Sequence, residues 1–278
     1  MPAELTEAET SRFAQTSKWR IHYHEAGSGE PVILLHGSGP GATGWSNFNP
    51  NIAALAEHFR VFAVDMPGWG KSDTAVPGDR DHVEALILLM DELGLAEATL
   101  VGNSMGGMTS LLTLAQHPDR VRRIVTMGVP SPGVNIFGPA GLTEGLRILL
   151  GTYADPSPAN FKRLVSIMAF DQKFATDELA EERSRNALAN PDHLKNALAS
   201  FRPDPKFQEL GAALAMSPKP ALVVHGRDDL TVGMEHGLRL VALMQNSRLL
   251  LLNRCGHWAQ LEHADEFNRT VVDFIRHN

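Results

Sequence analysis

The stretch TLVGNSMGG at residues 99–107 decides the fold, because an apolar run passes directly into a serine flanked by glycines. Gly102, Ser104 and Gly106 fit the pattern Gly-x-Ser-x-Gly, which is typical of a sharp turn between a strand and a helix. A helical pattern follows as far as His117, so the serine hydroxyl would lie at a helix N-terminus, where peptide dipoles favour negative charge. We therefore expect Ser104 to be a nucleophile. The alternative is that Ser104 is an ordinary helix N-cap.

Short apolar runs recur on both sides of this turn and alternate with helical patterns. We predict strands at residues 31–35, 61–65, 99–102, 123–127, 221–225 and 249–252, and helices at residues 82–93, 104–117 and 264–275. Runs this short and this apolar are typical of strands that are buried on both faces of a parallel sheet. The alternation predicts an α/β fold with a doubly wound, mostly parallel sheet.

Residues 131–204 interrupt this alternation, since they contain no convincing strand and prolines separate their helical patterns. We predict that they form a helical cap, inserted between the core segments 1–130 and 205–278. The alternative is a set of extra helices packed on the edge of the sheet. The position of the insertion, after Ser104 and before the next candidate catalytic residue, favours the cap.

The acidic residue of a triad is expected where the strand at residues 221–225 ends, because functional sites of parallel sheets lie at the carboxyl ends of the strands. Two adjacent aspartates follow this strand. Gly226, Asp229 and Val232 fit the spacing Gly-x-x-Asp-x-x-Val, so we predict Asp229 as the acid and leave Asp228 as the alternative.

His257 is the candidate base, because it follows the last predicted strand and a glycine that permits a sharp loop. An imidazole there could take the serine proton and return it to a leaving group. We interpret His36 and His225 as structural residues, and the other histidines as surface or helix residues.

A glycine-rich loop, HGSGPG at residues 36–41, follows the first clear strand. Such a loop can aim a backbone N–H at a developing oxyanion, and the residue after the nucleophile, Met105, can supply a second N–H. The loop lacks the glycine spacing of nucleotide-binding motifs, so we predict no nucleotide site.

The composition limits the function classes open to the chain. Its 278 residues, 43% of them apolar, and its net charge of −7 are typical of a soluble globular protein. No block of basic residues stands out, so we expect no nucleic-acid partner. Cys255 is the only cysteine, which excludes an intramolecular disulfide. Without a signal peptide or an apolar span, we expect a cytoplasmic protein with no metal, cofactor or membrane contact.

Four motifs together carry a resemblance to a known family. They are HGSGPGATGWSNF at residues 36–48, VGNSMGG at 101–107, GRDD at 226–229 and CGHWAQLEHADEFN at 255–268. In these motifs the chain resembles the meta-cleavage product hydrolases of the α/β-hydrolase fold. The resemblance implies cleavage of a carbon–carbon bond in 2-hydroxy-6-oxo-hexa-2,4-dienoate compounds, which arise when catechols are opened. The products would be a 2-hydroxypentadienoate and a carboxylic acid.

The resemblance also implies roles for individual residues. Ser104, Asp229 and His257 match the catalytic triad, and Ser38 and Met105 match the oxyanion hole. Asn47, Asn103 and Trp258 match polar or aromatic substrate contacts. Gly37 and Gly39 are further candidate substrate contacts, and our candidates for the wall around the C6 substituent are Leu146, Leu149, Met168 and Val232.

Arg183 matches an arginine that binds the carboxylate end of the dienoate, and a guanidinium offers a fork that suits a carboxylate and a neighbouring oxygen. The alternative is an exposed helix cation, since Glu181, Glu182 and Arg185 are close in sequence.

Several functional questions stay open on the sequence alone. A carboxylesterase or lactonase with the same triad is the first alternative, and a ligand-binding module without turnover is the second. Ser104 could attack the substrate, or His257 could activate water in its place. The C6 substituent could be alkyl, aryl or carboxylate-bearing. Relatives suggest a homodimer or a larger homo-oligomer with a small-molecule substrate.

Overall fold

A computed structural model describes residues 5–134, 136 and 142–278 of the protein. These residues form an eight-stranded sheet. Its strands are β1 Ser11–Gln15, β2 Arg20–Ala26, β3 Pro31–Leu35, β4 Arg60–Val64, β5 Ala98–Asn103, β6 Val121–Met127, β7 Ala221–Gly226 and β8 Ser247–Leu252. The strand order is β1-β2-β4-β3-β5-β6-β7-β8, and β3 to β8 pair in parallel. The predicted α/β fold with a mostly parallel sheet is confirmed.

Helices cover both faces of this sheet and form the insertion after β6. They are α1 Glu7–Thr10, α2 Gly44–Ala56, α3 His82–Glu92, α4 Met105–Gln116, α5 Glu144–Ala154, α6 Pro158–Met168, α7 Asp177–Leu188, α8 Pro191–Ser200, α9 Pro205–Gln208, α10 Gly211–Met216, α11 Glu235–Leu243, α12 Ala259–Glu262 and α13 Ala264–Arg276. In the part of the chain that the structure describes, none of these helices has both the length and the apolar character needed to span a bilayer.

The core lies in two layers because successive side chains of each strand point to opposite faces of the sheet. On β3, Ile33 and Leu35 belong to the layer that includes side chains of α3 and α4, whereas Val32 and Leu34 belong to the layer that includes side chains of α2 and α13. All four are fully buried. A strand that is buried on both faces needs apolar residues at every position, which is why β3 could be predicted from its sequence.

The antiparallel strands β1 and β2 were not predicted, because β2 contains polar residues at buried positions. The interpretation of its histidines as surface residues is wrong, since His22 and His24 are each 1% exposed. His22 Nδ1 lies 2.8 Å from Asp65 Oδ2, and His24 Nδ1 lies 2.9 Å from Thr10 Oγ1. These hydrogen bonds offset the cost of burying imidazoles, and a hydropathy pattern does not reveal them.

The insertion between β6 and β7 contains α5 to α8, and α6 contacts both α5 and α7. It is tied to the core by hydrogen bonds. Tyr153 of α5 donates from its hydroxyl to the carbonyl of Ser38, and His257 donates its backbone N–H to the carbonyl of Met168 at 2.6 Å. Residues 135 and 137–141 of the predicted cap, and residues 1–4 of the predicted core, lie outside the described residues.

Candidate active site

The turn between β5 and α4 holds Ser104 in a backbone conformation that serine rarely adopts, with φ 51° and ψ −112°. Its N–H donates to the carbonyl of Met127 at 2.8 Å. Although Ser104 occupies the N-cap position of α4, its side chain makes no capping hydrogen bond, so the alternative of an ordinary N-cap is wrong. The hydroxyl is therefore available to the cavity above the sheet.

Two glycines make this turn possible. A Cβ on Gly102 would lie 2.3 Å from the carbonyl of Gly106, and a Cβ on Gly106 would lie 2.1 Å from the carbonyl oxygen of Leu35. Any side chain at either position would push the start of α4 away from the sheet. The spacing of the motif is thus a packing requirement of the turn that presents Ser104.

His257 and Asp229 form a buried hydrogen-bonded pair, with Nδ1 and Oδ2 2.7 Å apart. The other carboxylate oxygen of Asp229 accepts backbone N–H bonds from Thr231 and Val232 at 2.8 and 2.9 Å. Burial alone would raise the pKa of Asp229, but the interactions with His257 and His225 and the N–H of Val232 outweigh it and hold the pKa below its usual value. The neighbouring Asp228 instead lies beside Arg227.

Ser104 and His257 line the same cavity, which has a volume of about 210 Å³. Among the described residues, no hydrogen bond of 3.5 Å or less joins the Ser104 hydroxyl to the His257 ring. Nucleophile and base contacts are often long in the absence of substrate and tighten when it binds. The structure thus brings the three predicted triad residues to one place.

The glycine-rich loop after β3 presents backbone to the same cavity at Gly37, Ser38 and Gly39. The carbonyl of Gly37 accepts a hydrogen bond from His36 Nδ1 at 2.8 Å. Because the N–H and C=O of one peptide point in opposite directions, this bond turns the N–H of Ser38 away from the His36 ring. Met105 is the first residue of α4, so its N–H has no acceptor within the helix.

Two asparagine side chains form hydrogen bonds that fix the positions of the loops around the site. Asn103 donates from its amide nitrogen to the carbonyls of Met127 and His257, both at 3.2 Å, and its Oδ1 has no partner among the described residues. Asn47 accepts from the N–H of Gly37 at 3.4 Å. Both side chains are buried and line the cavity.

Arg183 projects from α7 into this cavity and is only 4% exposed, so the alternative of an exposed surface cation is wrong. Its guanidinium carbon lies 4.7 Å from the ring centre of Trp258, which also lines the cavity. Burial lowers the pKa of Arg183 to about 10. Its Nε has no hydrogen-bond partner among the described residues. A buried cation in this state favours an anionic ligand.

The predicted wall residues Leu146, Leu149, Met168 and Val232 all line the cavity. Leu146 and Leu149 come from α5 and Met168 ends α6, so the insertion supplies most of this apolar surface. The hydroxyl of Thr231 donates to Met168 Sδ at 3.3 Å. This contact fixes a side chain that is otherwise flexible.

Sequence reasoning missed several residues that line or shape the site, four of which stand out by their charge or their contact with the base. Arg80, His82 and Arg202 line the cavity. The sequence around Arg80, PGDRD, has the composition of a solvated turn, so it carries no signal of a binding residue. Gly128 packs against the His257 ring, and its position directly after β6 was the one available signal.

The alpha/beta hydrolase fold family model matches residues 30–264 of this chain. A 2-hydroxy-6-oxononadienedioate/2-hydroxy-6-oxononatrienedioate hydrolase of Cupriavidus pinatubonensis is 44% identical over 281 residues, covering 98% of this chain and 97% of the relative. A 2-hydroxy-6-oxo-6-phenylhexa-2,4-dienoate hydrolase of Burkholderia cepacia is 42% identical, with 98% of both chains covered.

Among solved structures, a meta-cleavage product hydrolase from Pseudomonas fluorescens IP01 superimposes with a TM-score of 0.85 at 33% identity. The match covers 97% of this chain and 99% of that one, so it includes the insertion as well as the sheet. These similarities extend over nearly the whole chain and agree with the motifs. The chain therefore belongs to the meta-cleavage product hydrolases of the α/β-hydrolase fold, which are enzymes that hydrolyse carbon–carbon bonds.

Proposed function

We propose that Ser104, Asp229 and His257 hydrolyse the C5–C6 bond of 2-hydroxy-6-oxo-hexa-2,4-dienoate-type ring-fission products. The relatives named above act on compounds of this class. The observation that carries the proposal is Arg183, a buried cation in the cavity that Ser104 and His257 line. Its position supports a substrate with a carboxylate, which a simple ester lacks.

The C1 carboxylate and the C2 oxygen of the substrate are assigned to Arg183, with Trp258 beneath the guanidinium. A guanidinium can donate to both oxygens at once, and the contact is strong because the site is buried. Asn47, Asn103 and the backbone at Gly37 and Gly39 complete the polar end of the cavity. The C6 carbonyl then falls near Ser104.

The reaction begins with ketonisation, because the dienol gives the C5–C6 bond no electron sink. The C2 hydroxyl loses a proton and C5 gains one, which yields a ketone at C2 and a CH₂ group at C5. When the C5–C6 bond later breaks, its electron pair moves through the C3–C4 double bond onto the C2 oxygen. Protonation of that oxygen gives 2-hydroxypentadienoate.

The C6 carbonyl is attacked either by Ser104 or by a water that His257 activates, and both routes pass through an oxyanion at C6. The backbone N–H groups of Ser38 and Met105 are the proposed donors to this oxyanion. Loss of one such donor typically raises the barrier by about 2.7–4 kcal/mol. Asp229 orients the His257 ring and stabilises its cation. When Ser104 is the nucleophile, the broken bond leaves an acyl group on its oxygen, which water activated by His257 then hydrolyses. In both routes one water is consumed, and the second product is the carboxylic acid that carries the C6 substituent.

This function can be tested with a panel of ring-fission products that differ at C6. The measurement is the loss of the yellow absorbance of the dienolate. We expect the Arg183→Gln variant to lose about 10- to 100-fold in kcat/KM, because charge-assisted hydrogen bonds to the carboxylate are removed. Arg183→Lys should retain part of the activity. Arg185→Gln is the matched control, since Arg185 is an exposed arginine of the same helix.

A carboxylesterase or lactonase would respond differently. It would hydrolyse neutral esters faster than any dienoate, and Arg183→Gln would leave its turnover unchanged. A binding module would show no multiple turnover with either substrate class. Either result would end the proposal.

We also propose that the enzyme is cytoplasmic and assembles as a homo-oligomer. The single cysteine, buried Cys255, supports a fold that does not depend on oxidation. Light scattering of the purified protein measures the assembly directly, and a mass of one chain would contradict it.

A further inference from the structure

Three successive carbonyl groups of the glycine-rich loop after β3 each accept a hydrogen bond from an aromatic side chain. The three bonds run from His36 Nδ1 to Gly37 at 2.8 Å, from the Tyr153 hydroxyl to Ser38, and from Trp69 Nε1 to Gly39 at 3.1 Å. His36 Nε2 accepts the N–H of Met66 at 3.0 Å, so Nδ1 carries the ring proton. The donors belong to the loop itself, to the segment after β4 and to α5 of the insertion. Three parts of the chain therefore hold this loop in place.

Ser38 lies between two of these fixed peptide groups. Because the C=O and the N–H of one peptide point in opposite directions, the bond from His36 sets the direction of the Ser38 N–H. The bond from Tyr153 fixes the next peptide, which joins Ser38 to Gly39. A reorientation of the Ser38 N–H would therefore disturb at least one of the two bonds. Among the described residues, the N–H groups of Ser38 and Gly39 have no acceptor, so both are available to a ligand.

Tyr153 contacts the loop from outside the cavity that Ser104 lines. Its side chain lines a neighbouring cavity together with Gly41 and Trp69. The ring is 4% exposed and packs against Phe201, with ring centres 5.2 Å apart, and the hydroxyl also accepts from Trp69 Nε1 at 3.3 Å. Burial raises the pKa of Tyr153, so the hydroxyl stays protonated and can donate. The Ser38 carbonyl is thus drawn toward the insertion and away from the substrate.

We propose that Tyr153 is a positioning residue for the oxyanion hole, so that α5 of the insertion takes part in assembling the hole. This inference rests on the proposed function, in which the Ser38 N–H donates to the oxyanion at C6. Without the hydroxyl, the Ser38 carbonyl loses its protein donor, and the loop can move the N–H away from the developing charge. The insertion then has two roles, because α5 also supplies Leu146 and Leu149 to the apolar wall.

The Tyr153→Phe variant tests this inference, because it removes the hydroxyl and keeps the buried ring. We expect kcat for a ring-fission dienoate to fall by about 10- to 100-fold, since an oxyanion donor is displaced rather than removed. KM should change by less than about 2-fold, because Arg183 still holds the carboxylate. In a single turnover, ketonisation should keep its rate, since it forms no oxyanion at C6, while release of 2-hydroxypentadienoate should slow.

Tyr23→Phe is the matched control and should keep the wild-type kcat. Tyr23 is the only other tyrosine of the chain and is also buried. Its hydroxyl makes no hydrogen bond to any described residue, and Tyr23 lies on β2, away from the loop. Thermal melts of both variants show that they are folded.

An unchanged rate of carbon–carbon cleavage in Tyr153→Phe would overturn the inference, and so would a variant that only raises KM or only lowers the melting temperature. Failure of the wild-type enzyme to cleave any dienoate would instead overturn the proposed function. Hydrolysis of 4-nitrophenyl acetate separates the two, because it passes through an oxyanion at the same place but involves no carboxylate on the substrate. Tyr153→Phe should slow this reaction by a similar factor, and an equal rate in both enzymes would count against the role of Tyr153.

Discussion

Gly128 follows β6 and lies against the triad pair. Its φ is 56°, and an added Cβ would lie 2.7 Å from His257 Nδ1 and 3.2 Å from Asp229 Oδ2. A side chain here would displace the ring of the base rather than a flexible surface group. Gly128 therefore sets how closely β6 approaches the base.

We expect Gly128→Ala to lower kcat by about 100-fold, because a shift of about 1 Å in a catalytic group costs this much. Gly94→Ala is the control, since Gly94 also has a positive φ, 66°, but nothing within 4 Å of an added Cβ. Both variants should lose about 1 kcal/mol of stability to backbone strain. Steady-state kinetics and thermal melts distinguish the two effects. Equal kcat in both variants would show that the contact with His257 has no catalytic consequence.

The residues of the triad were predictable because their residue types and their positions in the sequence both indicate a catalytic role. Ser104 lies between two glycines, and Asp229 and His257 each follow a strand that ends at the same edge of the sheet. The place of Arg80 in the cavity was not predictable, because it depends on which cavity its loop faces. No local pattern in the sequence contains that information.

At the scale of elements, the loop that carries His257 is fastened to the end of α6. Glu262 of α12 accepts the N–H of Gly256 with one carboxylate oxygen, and the N–H groups of Phe170 and Asp171 with the other, at 2.7, 2.7 and 3.1 Å. Burial raises the pKa of Glu262. One carboxylate thus joins the catalytic loop to the insertion.

We expect Glu262→Gln to lower both kcat and the melting temperature, because an amide has one acceptor oxygen and would turn its NH₂ toward backbone donors. A loss of about 1–3 kcal/mol is typical for an unsatisfied buried donor. Glu266→Gln, an exposed position on α13, is the control. If both variants behave alike, the carboxylate does not position the base.

The parallel strands β3 to β7 were predictable for a physical reason that the antiparallel strands β1 and β2 lack. β3 to β7 are largely buried on both faces, so each of them contains a run of apolar residues. β2 buries imidazoles that are hydrogen-bonded by partners distant in sequence. The helix α2 was also missed, since Pro50 and several polar residues obscure its periodicity.

At the scale of the whole molecule, burial lowers the pKa of many histidines. The affected residues are His24, His36, His82, His193, His225 and His236. The pKa of His24 falls to about 4 and that of His82 to about 3. These residues stay neutral in the folded state at a pH where the unfolded chain would protonate them.

We expect stability to fall as the pH drops from about 6.5 toward 4, because the unfolded state then binds more protons than the folded state. Each such histidine contributes a slope of up to about 1.4 kcal/mol per pH unit. The pKa values of Asp65 and Asp229 are also lowered, so their contribution is lost only below about pH 4. Urea unfolding at pH 7, 6 and 5 measures the trend. A free energy of unfolding that is constant over this range would contradict it.

The backbone of Ser104 has a consequence for engineering this enzyme. A serine at φ 51° costs on the order of 1–3 kcal/mol, which the rest of the fold must supply. Glycine adopts this conformation without that cost. We therefore expect Ser104→Gly to melt at a higher temperature than Ser104→Ala, although both lack the hydroxyl. Selection for thermal tolerance alone would then remove the nucleophile, so screens of this enzyme need to measure turnover together with heat resistance.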